Sequence, residues 1–375
     1  MSSATHREQS TSTALYVAFE LSRDAWLLTM SSGMGGRRRR VRLSPTREGV
    51  AQTITMTKQQ FGLASEAPVR SCYEAGRDGF WPHRLLTTLG VVNLVVDSSS
   101  IEVPRRARRA KTDRLDGEKL LQLLVRYWSG ERECWHVVRV PTPELEATRH
   151  ASRAFTTLAQ ERTRYRNRIH SLLALEGVRV VIGRDFPVRL ARATDWAGAP
   201  LRAEVQARIL ETWRLLQAVE TARATRRAAE RRHVRTGESR MAATARQLTR
   251  LKGLAARTAT VLADELFSRE LRNRRQVGAL CGLVSAPYDS GTRRVDQGLM
   301  RSGIPAVRRL AVEVAWLWVH HQPRSALTQW YEAKFGGGGP GVRRAGIVAL
   351  ARRLMIALWR YVDQGVMPVG AQLKA

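Results

Sequence analysis

Cysteine is scarce in this chain. Its three, Cys72, Cys134 and Cys281, lie far apart and form no Cys-x-x-Cys pair. That excludes a disulfide scaffold and a cysteine zinc site. The eight histidines show no ligand spacing, and the adjacent His320 and His321 sit in a Trp/Val-rich helical run that favours packing or capping. No apolar run reaches the ~20 residues that span a bilayer. The opening "MSSATHREQSTSTA" lacks the apolar stretch of a signal peptide. A soluble, cytoplasmic chain with no membrane partner is expected.

Acid is the other shortage. Asp+Glu total 33 against 63 Lys+Arg, a formal charge of +30, and only six of the cations are lysine. Such an excess repels itself in a compact state and calls for a polyanion. Nucleic acid answers best, because neutralising phosphates releases counterions. The remaining composition, 43% hydrophobic and 26% charged, is that of ordinary globular proteins, and 375 residues suffice for two or three domains.

Along the chain, residues 1–14 read as a disordered tail. Strands are predicted at "LYVAFEL" (15–21), "AWLLTM" (25–30) and "RRRRVRLS" (37–44), the last a solvated hairpin edge with a period of two. A helix over 46–63 precedes "VRSCYEA" (69–75), a short helix and "VVNLVVD" (91–97), an α/β order with parallel strands. Residues 141–247 read as long, arginine-rich, coiled-coil-like helices that serve as linker and dimerisation region. A mostly helical domain over 248–375 begins with a helical hairpin around Gly253 and includes the glycine linker 336–341, expected to be flexible.

Against the basic background, "RRARRAKTDRLDGEKL" places Asp113 and Asp116 three residues apart. On a helix such a pair shares one face, which is unfavourable unless a cation lies between. Arginines could supply it, and so could a divalent metal. Glu20 lies inside the first apolar strand, where a carboxylate needs a partner. Glu74 ends another strand, and Asp97, also at a strand end, reads as a turn or cap. Acids on a central strand, a neighbouring strand and a nearby helix suit a nuclease-type pair of oxygen-ligated cations.

These motifs in this order resemble the IS-one-ten family of insertion-sequence transposases. The likeness rests on Glu20-Leu-Ser22, "CYEAG...GFWPHRLLTTLG", "KTDRLDGEKLLQLL", "LKGLAARTATVLADELF", "RNRRQVGALCGLVSAPYDSG" and "GLMRSGIPAVRRLAVEVAWLWV", over about residues 15–365. It implies an α/β RNase H/RuvC-like catalytic domain over 15–140, whose acids fall on Glu20, Glu74, Asp113 and Asp116 and bind Mg²⁺ or Mn²⁺. It also implies a serine nucleophile at Ser290, covalent attachment to a DNA end, donor and target DNA as partners, a guiding bridge RNA, and a homodimer or homotetramer at the nucleoid. Arg105, Arg106, Arg108, Arg109, Lys111, Arg293, Arg294 and Arg301 are candidate phosphate contacts. The sequence departs from the family pattern at Glu20, where Asp is usual, at the displaced Pro287, and at Gly253-Leu254-Ala255, where a Gly-x-Gly is usual. A non-catalytic nucleic-acid-binding descendant and a RuvC-like nuclease using water are the alternatives.

Overall fold

The computed structural model describes residues 14–101, 113–290, 293–300 and 303–374, with the backbone alone for 113–115, 287–290 and 293–297. Of the tail expected over 1–14, only Ala14 lies among them. The chain divides into two compact units, residues 1–141 and 142–375.

The meander forms where the patterning puts it. Strands β1 (Leu15–Leu21) and β2 (Trp26–Ser31) are mostly buried, while β3 (Arg38–Leu43) alternates between exposed and half-buried residues. β3 is the sheet's edge, and its arginines act locally. Arg39 donates to Thr57 Oγ1 at 3.0 Å, and Arg40 pairs with Glu118. Charge along an edge also discourages pairing with another chain.

Helix α1 (Arg47–Phe61) starts at Thr46, whose Oγ1 accepts from the Gly49 amide at 3.1 Å. Then β4 (Val69–Glu74), α2 (Trp81–Thr88) and β5 (Val92–Val96) follow, and β4 and β5 extend the sheet in parallel with β1. The strand order is β3-β2-β1-β4-β5. One face packs Phe19, Trp26, Leu28 and Tyr73 against Leu86, with the Phe19 and Trp26 rings edge to face at 5.8 Å. The other face, built from Tyr16, Ala18, Cys72 and Val96, is covered by Leu120, Leu121 and Leu124 of α3 (Asp113–Trp128). Asp97 caps the turn after β5, its Oδ1 accepting from the Ser99 amide at 2.9 Å, as its strand-end position predicts.

In the second unit, α4 (Pro143–Leu175) and α6 (Ala203–Thr236) pack on each other, with α5 (Phe186–Ala191) between them in sequence. Of the buried residues of α6, Ile209, Thr212, Leu216 and Val219 follow the three-four spacing of a coiled-coil seam. Within the chain, Ile209 and Leu216 share a core with Ile169 and Leu173 of α4.

A helical core then forms from α7 (Arg240–Thr249), α8 (Ala256–Leu262), α9 (Arg274–Leu280), α10 (Pro305–His321), α11 (Ala326–Tyr331) and α12 (Pro340–Gln364). The antiparallel hairpin β6 (Ser285–Ser290) and β7 (Arg293–Leu299) sits between α9 and α10 in sequence. The predicted α7–α8 hairpin turns at Gly253, whose φ of +87° suits glycine. The glycine run expected as a flexible linker instead continues a π turn over Glu332–Gly336, has the Gly338 amide donating to Phe335 O at 3.1 Å, and enters α12 at Pro340. Small residues there let two helices meet at a short corner.

A second π turn, Ala263–Phe267, buries Asp264 and Glu265. Arg149 of α4 donates from Nε to Asp264 O at 3.0 Å and lies 3.7 Å from the Glu265 carboxylate. Burial pushes the Asp264 carboxyl up to about 6 from 3.8, against the pull of Thr148 and Arg149. A raised carboxyl stabilises the fold while protonated, so this contribution is complete below pH 3.8 and is lost as pH rises through about 6. The full change is worth on the order of 3 kcal/mol. Asp264→Asn should therefore raise the melting temperature by several degrees at pH 8 and change it little near pH 4. Thermal unfolding at the two pH values tests this; equal shifts would show that the charge is not the cost.

Candidate functional site

The sheet's period of two sets the site. Tyr16 and Ala18 of β1 and Cys72 of β4 share the face covered by α3. The next residues on that face are Glu20 and Glu74. Phe19 pairs with Tyr73 in parallel register, so the two glutamates follow side by side at the strands' carboxyl ends, with the chains about 4.8 Å apart. On α3, Asp116 lies one turn before the buried Leu120 and so on the same helix face.

The three acids line one cleft of about 470 Å³, together with Ser22, Arg77 and Asp78. Glu20 and Asp116 are half-buried, and Glu74 is exposed. Ser22 closes the β1–β2 turn through Ala25, and Tyr73 Oη donates to Gly79 O at 2.9 Å, anchoring the loop that carries Arg77 and Asp78. Crevices outside the carboxyl ends of parallel strands are where open α/β sheets bind ligands. All the acidic donors are hard oxygens, the chemistry a divalent cation such as Mg²⁺ prefers. Among the described residues, no three His, Cys, Asp or Glu side chains stand close enough to hold one metal ion together. Asp113 is the first residue of α3, and its side chain lies outside the described ones.

Gly117 explains how α3 comes so close. A Cβ there would meet Thr29 Oγ1 of β2 at 2.8 Å. Glycine inside a helix costs about 1 kcal/mol against alanine, and here the close approach sets Asp116 beside the strand ends. Gly117→Ala is expected to favour the isolated helix yet displace α3 and lower activity about tenfold or more. Thr29→Ala removes the clashing hydroxyl and should restore activity in the double variant. An additive double variant, measured by recombination frequency, would show that the contact does not position the acid.

Ser290 is the last residue of β6, and its Cα pairs with Arg293, as that of Asp289 does with Arg294. The register shifts between Ser285 and Pro287, a bulge that accommodates the displaced proline. The side chains of Ser290, Arg293 and Arg294 lie outside the described ones, as do Arg105, Arg106, Arg108, Arg109, Lys111 and Arg301 entirely.

A family model described as the IS116/IS110/IS902 transposase family matches residues 245–329, from α7 to α11 and through the Ser290 hairpin. The chain is also 38% identical over 378 residues to a Sinorhizobium fredii protein named "Putative transposase y4rJ", covering 96% of this chain and 95% of that one. The chain belongs to this transposase family. It is also 24% identical over 261 residues to the transposase for insertion sequence element IS1328 of Yersinia enterocolitica, covering 68% of this chain and 72% of that protein.

A transposase acts on DNA, which accounts for the +30 charge. Among the described residues, no helix is long and apolar enough to cross a membrane. Sequence reasoning missed Arg77 and Asp78 in this transposase's acidic cleft, and Gly117 where α3 meets β2. Asp78 follows Glu74 in the same short loop, and a glycine inside a helical pattern signals a packing reason.

Proposed function

We propose that this transposase cuts and rejoins DNA strands through an acidic RuvC-like centre and a covalent phosphoserine. The observation that carries this reading is the convergence of Glu20, Glu74 and Asp116 on one cleft at the sheet's carboxyl ends. An antiparallel meander extended by two parallel strands, with α3 over the acidic face, supports the RuvC-like assignment.

Pairs drawn from Glu20, Glu74, Asp113 and Asp116 would each hold one of two Mg²⁺ ions, since no three of the described acids stand together on one. Bound there, the ions would supply Lewis-acid stabilisation of charge on a phosphoryl group. The chain supplies the rest. Ser290 Oγ attacks the phosphorus and gives up its proton to a basic group, because a serine hydroxyl is a weak nucleophile without one. A phosphorus–oxygen bond of the DNA breaks as the phosphorus–serine bond forms, and one strand leaves with a free hydroxyl. That hydroxyl, or one from another strand, then attacks the phosphoserine and releases the serine. One phosphodiester is lost and one regained, so no nucleotide cofactor is needed. Arg293 and Arg294 would steady the phosphate.

Two further parts of the reading follow from its chemistry. One acidic centre and one serine per chain cannot process four strands, so at least two chains act together, with the α4–α6 pair supplying coiled-coil-like contacts between them. A guide RNA chooses the sites, and the arginine surplus suits RNA as well as DNA. The test is a covalent trap: the gene is expressed with its flanking DNA, the protein is denatured, and attached DNA is sought. Wild type should carry DNA and Ser290→Ala none.

A further inference from the structure

We propose that a groove in the second unit, bounded by α9, α11, α12 and the base of the β6–β7 hairpin, holds an unpaired DNA strand leading to Ser290. The inference rests on the recombinase reading above, but the groove stands on its own geometry.

The groove encloses about 940 Å³. Its cations are Arg274 of α9 and Arg352, Arg353 and Arg360 of α12, and no carboxylate lines it. Among the described residues none of the four takes part in a salt bridge. Between them lies an apolar floor of Leu283, Trp330, Val348 and Ile356. The Arg353 guanidinium sits over the Trp330 ring, 4.0 Å from its centroid. Val348, Arg352, Ile356 and Arg360 recur at helical spacing, so one stripe of α12 presents charge and apolar surface together.

That mixture selects the occupant. Unneutralised arginines need an anion, and an apolar, aromatic floor needs flat rings. A single strand offers both at once, stacking its bases and laying its phosphates on the cations. A duplex keeps its bases inside and presents mainly phosphate, leaving the floor uncovered.

The groove's position argues for DNA over RNA. Ser285, Gly298 and Leu299 of the hairpin form part of its wall. The hairpin's base is fixed by the Met300 amide donating to Val284 O at 2.9 Å and by Arg308 donating to Met300 O at 2.7 Å. From Ser285 the strand β6 runs to Ser290, about 16 Å at ~3.3 Å per residue. A strand that leaves the groove along the hairpin would reach Ser290 within that distance.

The test measures binding by the full-length Ser290→Ala protein without divalent cations, so failure of the phosphoserine reading leaves it untouched. The probe is a fluorescent oligothymidylate of about 12 nucleotides, compared with a DNA duplex and an oligouridylate of equal length. Replacing three exposed cations (Arg274→Gln, Arg353→Gln, Arg360→Gln) should weaken oligothymidylate binding by roughly tenfold or more and flatten the log affinity–log salt slope by about 2, with little change for the duplex. Ala345→Glu, which adds an anion to the exposed wall, should act in the same direction without removing any arginine, and circular dichroism checks that each variant folds. Unchanged binding in both variants would overturn the proposal. So would an equal loss for the duplex, or a larger loss for oligouridylate, which would assign the groove to RNA.

Discussion

Asp116→Asn is expected to lower recombination by at least about 10³-fold while leaving the protein folded. The amide matches the carboxylate in shape, so the lining of the cleft it shares with Leu120 is preserved and only charge is lost. Stabilising charge on a transferring phosphoryl group is worth several kcal/mol, and each ~1.4 kcal/mol is a factor of ten in rate. The same substitution removes one of the like charges gathered at the cleft with Glu20, Glu74 and Asp78. Without divalent cations, the variant should therefore melt at or above the wild-type temperature. A plasmid recombination assay and thermal unfolding read the two effects. Activity near wild type would make the cleft a surface feature, and a large loss of stability would make Asp116 a structural residue.

Much of this arrangement is legible in the sequence because it follows from periodicity. The five strands of the first unit fall where their apolar runs predict, and the parallel β4–α2–β5 segment follows from its short connections. Glu20 and Glu74 can each be set at a strand end on paper, since residues two apart along one strand share a face, but the register that puts them side by side comes from the fold. Asp97 also takes the capping role its position suggests.

What escapes the sequence depends on neighbours far along the chain. Gly117 reads as a weak point in a helix until Thr29 is seen beneath it. The glycines after Phe335 read as a flexible linker, yet a π turn and a helix start use them as a corner. A coiled-coil-like seam on α6 reads as a dimer contact, but part of it meets α4 of the same chain. The groove arginines are invisible among so many others, because only the fold decides which of them share an apolar floor.

Ser290→Ala separates the two chemistries open to the acidic centre. If the serine is the nucleophile, its loss removes the covalent adduct completely, because no phosphorus–serine bond can form and water is no substitute for a group that must later be displaced to rejoin the strand. Recombination should fall to background, a larger loss than Asp116→Asn gives, since weakened stabilisation slows a step whereas a missing nucleophile abolishes it. Folding should be unaffected, as the change removes a single hydroxyl and no backbone group. Thr292→Val is the companion control. It deletes the neighbouring hydroxyl in "SGTRR" and should keep the adduct. Were DNA cleavage to persist in Ser290→Ala with unattached ends, the acidic centre would be activating water. Were the adduct to move with Thr292→Val, the nucleophile would be threonine.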